Sequence, residues 1–428
     1  MKIFHLIASF ITVLTLCLSC NAQHKNNQTS SNFIDSLLKS QPDSFQTILQ
    51  NPEAYEIQVM YTQINRDENN HPHFNTYRYN VDKDRYFYPA SIVKLPVACL
   101  TLEKINQLKI KGLNKYTVFE VDSLREPQTP FTEDTTSVHG KPFLAHMIKR
   151  AFVVSDNKAF NRLYEFLGQK YINEKLWEKG YNDVLVLHRL ANADFDDESN
   201  RYANPFKFYK KGQLIYEQPE TFNPKRYTTK IKNPFKGIAH INKKGKKVKE
   251  PIDFSRKNYF SLETMHQMLQ AVIFPESVPA KQRFNLTTAD YQFLYKCMAL
   301  LPRESKHPKY VKKDHSDGFM KFLMFGDLFK KKPYKSRMPN HIRIFNKVGL
   351  SYGFLVDNAY IVDFKNEVEF LLSVVIYVNK NRTLNDNKYE YKKIGMPFMV
   401  NFGRLIYDYE LTRPRNYRPN LSRFKVGG

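Results

Sequence analysis

The sequence is poor in the residues that cross-link small domains or bind zinc. It has four cysteines in 428 residues. After its first twenty residues it contains no C-x-x-C spacing, and it has no H-E-x-x-H spacing anywhere. A disulfide framework and a zinc site therefore have no support, and we expect no metal or cofactor. Acidic residues are also scarce, since 42 Asp and Glu face 66 Lys and Arg, which gives a net charge of +24. Such a surface attracts anions, and charge alone leaves nucleic acid, anionic lipid and acidic cell-wall polymer open as partners.

The first twenty residues indicate export. Residues 3–18 form an apolar run that Ser and Thr interrupt, too short for a good membrane span and typical of a secretory signal. Leu18-Ser19-Cys20 then resembles a bacterial lipobox, although Cys17 stands where that pattern prefers leucine. We predict lipid anchoring at Cys20 in the periplasm or at the outer membrane, with ordinary signal cleavage after Ala22 as the alternative. Lipid anchoring and ordinary signal cleavage would both export the protein, which argues against nucleic acid as its natural partner.

The composition predicts one folded domain between two polar ends. Hydrophobic residues make up 42% of the chain and aromatics 14%, which permits a sizeable core. We predict a lipoprotein signal peptide (1–20), a flexible tether (21–33), a domain (34–412) and a basic C-terminal tail (413–428). Residues 201–258, rich in Lys, Asn, Pro and Tyr, are interpreted as a basic insertion of loops and short hairpins, or simply as a solvated surface. Cys99 and Cys297 lie in apolar helical contexts and are expected to be buried free thiols.

Hydrophobic periodicity places strands at both ends of this domain and helices in its middle. Helices are predicted over 33–50, 92–108, 143–166, 261–272 and 396–409, with Ser261 as a candidate N-cap and Gly168 as a candidate C-cap. A hairpin is predicted from 55–61 and 74–79, and an antiparallel meander from 342–345, 353–364 and 368–378. The fold class is therefore α/β (α+β): an antiparallel sheet formed by both chain ends, with flanking helices and an inserted, mostly helical lobe.

Ser91-Ile92-Val93-Lys94 is an S-x-x-K motif at the start of an apolar helix. Residues three apart on a helix share one face, about 5–6 Å apart at Cβ. A lysine amine can then deprotonate the serine hydroxyl if burial or a nearby positive charge lowers its pKa. A second copy, Ser36-Leu37-Leu38-Lys39, is interpreted as part of a surface helix.

Two further motifs follow in order. Ser155-Asp156-Asn157 opens a helical stretch, and Lys347-Val348-Gly349 closes a strand. S-x-x-K, S-D-N and K-T-G together are the signature of class A β-lactamases and penicillin-binding proteins. Over roughly residues 55–410 the chain therefore resembles the serine β-lactamase and penicillin-binding protein superfamily, and looks most like its class A β-lactamase-like branch.

This resemblance implies a catalytic role for each matching position. Ser91 would attack the carbonyl and Lys94 would accept its proton. Ser155 would relay a proton to the departing nitrogen, and Asn157 would orient Lys94 and hold the substrate amide. Lys347 would keep Lys94 neutral by repulsion and attract a substrate carboxylate.

The resemblance also implies an oxyanion hole and shows two departures from the family pattern. The hole would use the backbone N–H groups of Ser91 and Leu350, beside Gly349. Val348 replaces the Thr or Ser that usually helps to hold the substrate carboxylate. The E-x-x-L-N pattern, whose Glu drives water onto the acyl-enzyme, is missing. In the nearest run, 196–200, Asp196 stands at the Glu position, and a solvated acidic loop is the alternative interpretation.

A second serine motif competes with the first. Residues 349–353 fit the G-x-S-x-G nucleophile elbow, with Ser351 at its centre. That elbow needs a following helix and a later histidine, whereas the next residues alternate as a strand and no histidine follows His341. We therefore reject Ser351. His146 and His188 have no partner pattern and are interpreted as structural or surface residues.

The sequence thus predicts an exported serine hydrolase that forms an acyl-enzyme on a β-lactam or a related amide. One alternative is a D,D-peptidase-like cell-wall enzyme with slow deacylation. Another is a non-catalytic cell-wall-binding lipoprotein on the same scaffold. The five intact motif residues favour an enzyme, because a binding protein would be expected to lose some of them.

Overall fold

The computed structural model describes residues 31–311, 313–331 and 337–426. The predicted signal peptide and its anchor Cys20 lie outside these residues. At the centre is a five-stranded antiparallel sheet whose strands come from both ends of the chain, as predicted. The strands are β1 (Gln58–Arg66), β2 (Pro72–Tyr79), β3 (Ile342–Ser351), β4 (Phe354–Asp363) and β5 (Val368–Tyr377), in the spatial order β3-β4-β5-β1-β2.

Both faces of this sheet are covered, since every residue of β4 and β5 is buried. Side chains of neighbouring strand residues point to opposite faces, so Val356 joins one hydrophobic cluster and Leu355 joins the other. The first cluster contains most of the buried hydrophobic residues from the middle of the chain. The second includes the helices at the two chain ends, where Phe45 packs edge-to-face against Phe398 at 5.9 Å.

Nine helices of eight or more residues occur in the described part of the chain. They are α1 (31–39), α2 (Pro42–Leu49), α3 (Lys94–Leu108), α4 (Leu144–Val153), α5 (Asn157–Leu167), α6 (Gln169–Glu178), α7 (Leu262–Ile273), α8 (Thr288–Ala299) and α9 (Met396–Thr412). The predicted N-cap of α7 is confirmed, because Ser261 Oγ accepts a hydrogen bond from the Thr264 N–H at 3.2 Å. Cys99 and Cys297 are buried free thiols, also as predicted. Within the described ranges, no helix has the length and apolar character needed to cross a bilayer.

Two predicted helices are each divided in two. The helix predicted over 33–50 is interrupted before Pro42, which has no N–H to continue the α1 hydrogen-bond ladder. The helix predicted over 143–166 is interrupted between α4 and α5, where Ser155 takes the left-handed φ of 57°. This second break is important for the site, because it places the middle motif, residues 155–157, at the start of α5.

Residues 201–258 form short paired strands, in agreement with the predicted hairpins. These strands are Tyr202–Ala203, Phe206–Lys210, Gln213–Gln218, Thr221–Phe222, Phe235–Lys236, Ala239–Ile241, Lys247–Val248 and Ile252–Asp253. Phe206–Lys210 also pairs with Val118–Val121 in the lobe. Thr383–Leu384, which follows the central sheet in sequence, pairs in parallel with Ala239–Ile241. The insertion is therefore held by the rest of the domain at several points.

The segment after α9 differs from the predicted basic tail. Leu421 and Phe424 are 5% and 1% exposed, and the Phe424 ring lies 4.9 Å from that of Tyr360. Arg413 and Arg415 both pair with the buried Glu410. Leu421 and Phe424 thus belong to the first hydrophobic cluster, although the charged residues in this segment are basic.

Candidate active site

Ser91 lies in a short 3-10 turn, Ala90–Val93, that leads directly into α3. The residue before it, Ala90, takes a left-handed φ of 48°, a conformation that L-residues keep only where surrounding contacts impose it. One such contact comes from β3. A Cβ atom at Gly349 would lie 2.3 Å from the carbonyl oxygen of Pro89. Glycine at this position therefore lets the third motif pack directly against the nucleophile segment.

The amines of the first and third motifs meet on one serine hydroxyl. Lys94, whose side chain is fully buried, donates from Nζ to Ser155 Oγ at 3.1 Å and to Asn157 Oδ1 at 2.7 Å. It also donates to the carbonyl oxygen of Ser155. Lys347 Nζ donates to the same Ser155 Oγ at 2.9 Å and to the Val348 carbonyl oxygen at 3.0 Å. The structure thus brings four of the predicted catalytic residues into one hydrogen-bonded group.

Both amines are held towards their neutral forms. Burial lowers the pKa of Lys94 well below its ordinary value, the positive charge of Lys347 lowers it further, and Asp156 opposes this shift. Burial likewise lowers the pKa of Lys347 to about 7, against the opposing effect of Asp357. A neutral amine is the form that can accept the proton of a serine hydroxyl. The charge of Lys347 thus acts on the pKa of Lys94 in the direction that its predicted role requires.

A buried polar network lies next to Lys347 on the sheet. Asp357, opposite Val348 in the strand register, accepts hydrogen bonds from Asn346 Nδ2 at 2.8 Å and from the Leu323 N–H at 3.1 Å. Burial raises the pKa of this carboxyl to about 6. Lys321 Nζ donates to Asn346 Oδ1 at 2.7 Å. No motif in the sequence predicts this network, although Asn346 and Asp357 are polar residues inside otherwise apolar strands.

Ion pairs and a helix cap hold the middle motif, Ser155-Asp156-Asn157, in place. Asp156 is the N-cap of α5 and accepts from the Ala159 N–H at 3.0 Å. Arg150 donates to its other carboxylate oxygen at 2.6 Å and also to Asp134 at 3.0 Å. These contacts join the last turn of α4 to the first turn of α5, the two helices between which Ser155 lies.

Ser91 opens onto a large cleft with a cavity volume of about 960 Å³. Asn157 and Leu350 line this cleft together with Ser91. The residues predicted to attack the carbonyl, to hold the amide and to complete the oxyanion hole therefore share one space. Val348 is absent from the lining and is 2% exposed, so the third motif presents no side-chain hydroxyl there.

Asp196 lines the cleft, but its hydrogen bonds do not suit its predicted role as the base for deacylation. Its side chain is exposed, and Oδ1 accepts hydrogen bonds from the Ser199 N–H at 2.8 Å and from Ser199 Oγ at 2.7 Å. These bonds lower the pKa of Asp196. Asn200, the other matched position, accepts from the Arg189 N–H at 2.9 Å. The carboxylate therefore stabilises a local turn, and its prediction as the water-activating base gains no support.

The two competing serine motifs, around Ser351 and Ser36, lie in the secondary-structure elements predicted for them. Ser351 ends β3, and β4 begins three residues later, so the helix that a nucleophile elbow requires is replaced by a strand. Ser36 lies on α1 and donates to the Asn32 carbonyl oxygen at 2.8 Å. Lys39 pairs instead with Asp35 at 2.6 Å on the same surface. In the described part of the chain, no hydrogen bond joins either serine hydroxyl to a lysine amine.

The two histidines singled out in the sequence occupy different settings. His146 is buried, with Nε2 2.9 Å from Thr136 Oγ1, which agrees with a structural role. His188 lines the cleft, stacks parallel to Tyr88 at 6.2 Å and donates from Nδ1 to the Arg189 carbonyl oxygen at 2.6 Å. Its place beside the nucleophile segment was not predicted, because no motif connects it with Ser91.

Comparison with known families decides the assignment. A family model described as the Beta-lactamase enzyme family matches residues 43–284, more than half of the chain. The chain belongs to this family. The matched residues include the first two motifs and the whole insertion. Membership of the family supports a serine hydrolase of the β-lactamase type. A search of curated proteins finds no match.

Several solved β-lactamases resemble this β-lactamase-family protein at low identity. The enzyme from Sphaerobacter thermophilus is 11% identical with a TM-score of 0.46, covering 90% of this chain and 98% of its own. The β-lactamase from Burkholderia phymatum is 12% identical with a TM-score of 0.43, covering 91% and 100%. That from Xanthomonas campestris pv. campestris is 13% identical with a TM-score of 0.45, covering 87% and 98%. The assignment of the chain rests on the family model.

Proposed function

We propose that this protein is a serine hydrolase that uses Ser91 to form an acyl-enzyme with a β-lactam or a related cell-wall amide. One observation carries the proposal: the Ser155 hydroxyl lies within hydrogen-bonding distance of two buried amines, those of Lys94 and Lys347, beside the cleft that Ser91 lines. Burial shifts both pKa values downward. Such shifts at a cleft are characteristic of proton-transfer sites.

The proposed reaction follows from these positions. The Ser91 oxygen forms a bond to the substrate carbonyl carbon as its proton passes to Lys94. The N–H groups of Ser91 and Leu350 stabilise the negative charge that develops on the carbonyl oxygen. The C–N bond then breaks, the nitrogen takes a proton from Ser155, and the proton on Lys94 replaces it. The product is an ester between Ser91 and the acyl group, with the amine released or, in a ring, still attached.

We further propose that hydrolysis of this ester is slow. Deacylation needs a base that activates water near the ester carbonyl. The carboxylate that the sequence offers for this task, Asp196, bonds to Ser199 and is exposed. This observation favours the D,D-peptidase-like alternative over an efficient β-lactamase. The five intact motif residues argue against a non-catalytic binding protein.

Export belongs to the same proposal. The apolar run at residues 3–18 and the lipobox-like sequence ending at Cys20 would place the enzyme outside the cytoplasm, anchored by lipid. Cell-wall peptides and β-lactam antibiotics are both encountered there. The lipid would be the protein's link to the membrane, and nucleic acid is not an expected partner.

A fluorescent penicillin tests acylation and deacylation together. We expect the folded protein to take up one label per chain, and the label to persist when excess unlabelled penicillin is added afterwards. Incubation with the unlabelled compound first should block labelling, and protein denatured beforehand should remain dark. Failure to label would contradict acylation, whereas rapid loss of the label with turnover would contradict slow deacylation and identify an efficient β-lactamase.

A further inference from the structure

The basic insertion forms one wall of the catalytic cleft. Lys243, Arg256 and Lys257, all from residues 201–258, line the same cavity as Ser91. From the sequence, this region is interpreted as a basic insertion of loops and short hairpins, or simply as a solvated surface. Its position means that its charges face whatever occupies the cleft.

The end of the insertion is fixed directly against the nucleophile segment. Tyr86 donates from its hydroxyl to the Asn258 carbonyl oxygen at 2.7 Å, and the Asn258 side chain accepts from the Leu187 N–H at 2.7 Å. The ring of Phe254 packs against Tyr352 at 5.2 Å and 89°. Lys257 is therefore held on a backbone that is anchored on both of its sides.

The middle of the insertion is also held by contacts with other parts of the domain. Ala239–Ile241 pairs with Thr383–Leu384. Lys243 Nζ donates to the Ala193 carbonyl oxygen at 2.9 Å, on the loop that carries Asp196. These contacts bridge the insertion to the facing loop, so the wall is built into the domain.

The cationic side chains that line the cleft differ in whether they have partners. Arg189 is paired with Glu165 at 2.8 Å, and Arg256 with Asp197 at 2.8 Å. Among the described residues, Lys257 Nζ has neither a hydrogen-bond acceptor nor an ion-pair partner, unlike the other cations lining the cleft. Its side chain is partly buried, and this burial lowers its pKa against the opposing charge of Asp197, a carboxylate already paired with Arg256 and Arg226. A partly desolvated ammonium without a partner gains most from an incoming anion.

We propose that Lys257 binds a carboxylate of the substrate, so that the insertion makes the enzyme select amides that carry an anionic group. The inference rests on the proposed function and adds a specificity-determining residue to it. Lys347, for which the same attraction is predicted, donates to Ser155 Oγ and to the Val348 carbonyl oxygen and does not line the cleft. The buried Val348 leaves the third motif without a hydroxyl for that carboxylate, and the cleft volume of about 960 Å³ lies at the upper end of the range for small-molecule sites. A charge-assisted hydrogen bond would then join the lysine to the carboxylate.

A pair of probes that differ only in charge tests this role. The rate of covalent labelling is measured with a fluorescent penicillin bearing its free carboxylate and with the methyl ester of the same compound. For Lys257→Met we expect about a tenfold lower second-order rate with the carboxylate, as a lost charge-assisted hydrogen bond implies, and an ester rate within about twofold of wild type. Lys257→Arg, which keeps the charge, should restore part of the carboxylate rate.

Lys244→Met is the matched control. Lys244 is an exposed lysine of the same insertion, outside the cleft lining, and both of its rates should equal those of wild type. Equal rates for Lys257→Met and wild type with the carboxylate probe would overturn the inference and leave the proposed function intact. An equal loss with both probes would also overturn it, since this would indicate a structural role. A wild-type protein that neither probe labels would overturn the proposed function and the inference together.

Discussion

Ser91→Ala is expected to abolish covalent labelling by penicillin, with a loss of at least about 10⁴-fold in rate. Removal of the nucleophile eliminates the only bond-forming atom, and such losses reach about 10⁶-fold in serine hydrolases. Among the described residues, the Ser91 hydroxyl forms no hydrogen bond that folding would lose. The variant should therefore unfold at the same denaturant concentration as wild type, which chemical denaturation followed by circular dichroism can establish.

The second S-x-x-K motif supplies the control for this experiment. Ser36→Ala removes a hydroxyl that bonds only to the Asn32 carbonyl oxygen on α1, and it should label at the wild-type rate. If Ser91→Ala kept a labelling rate within tenfold of wild type, another nucleophile would be responsible. Loss of labelling in Ser36→Ala would contradict the assignment of that copy to a surface helix.

Lys94→Met is expected to slow acylation by about 10³-fold, in the range that a general base contributes. Methionine keeps the unbranched, apolar part of the buried side chain and removes the amine. Ser91 would then lose its proton acceptor while remaining in the cleft. The measurement is the single-turnover rate of labelling at saturating penicillin, which isolates the chemical step from binding.

Lys104→Met is the matched control for the loss of a largely buried amine. Lys104 Nζ donates to the Phe166 carbonyl oxygen and to Gln218 Oε1, both at 2.6 Å, and burial lowers its pKa to about 7. It therefore shares the lowered pKa and the lost acceptor bonds of Lys94 without touching Ser155 or the cleft lining. We expect it to lose some stability and to keep its acylation rate. Equal acylation by Lys94→Met and Lys104→Met would contradict the role of Lys94.

The fold and the centre of the site were accessible from the sequence because local patterns determine both. Alternating residues predicted the strands at the two chain ends, and three short motifs predicted which side chains would meet. The first two motifs lie where a helix begins, since Lys94 starts α3 and Asn157 starts α5. Such boundaries leave clear signals in sequence. Lys347 is the sixth of the ten residues of β3, so the third motif lies within the strand that it was expected to close.

Other features depend on tertiary contacts and could not be predicted in this way. Hydrophobic periodicity continues across residues 154–156 because α4 and α5 lie on either side, whereas the structure breaks the helix there, at the left-handed φ of Ser155. The basic residues 413–426 concealed the buried Phe424. Lys257 offered no motif, and its importance follows only from the folding of the insertion against Tyr86 and Tyr352.

Peptide mapping of the penicillin-treated protein tests the central claim most directly. Trypsin should release residues 86–94 as one peptide, which contains a single serine, Ser91. We predict that mass spectrometry finds the intact penicillin mass added to this peptide and fragmentation places it on Ser91. An adduct on the peptide of residues 348–365, which contains Ser351, or the absence of any adduct on folded protein would contradict the account.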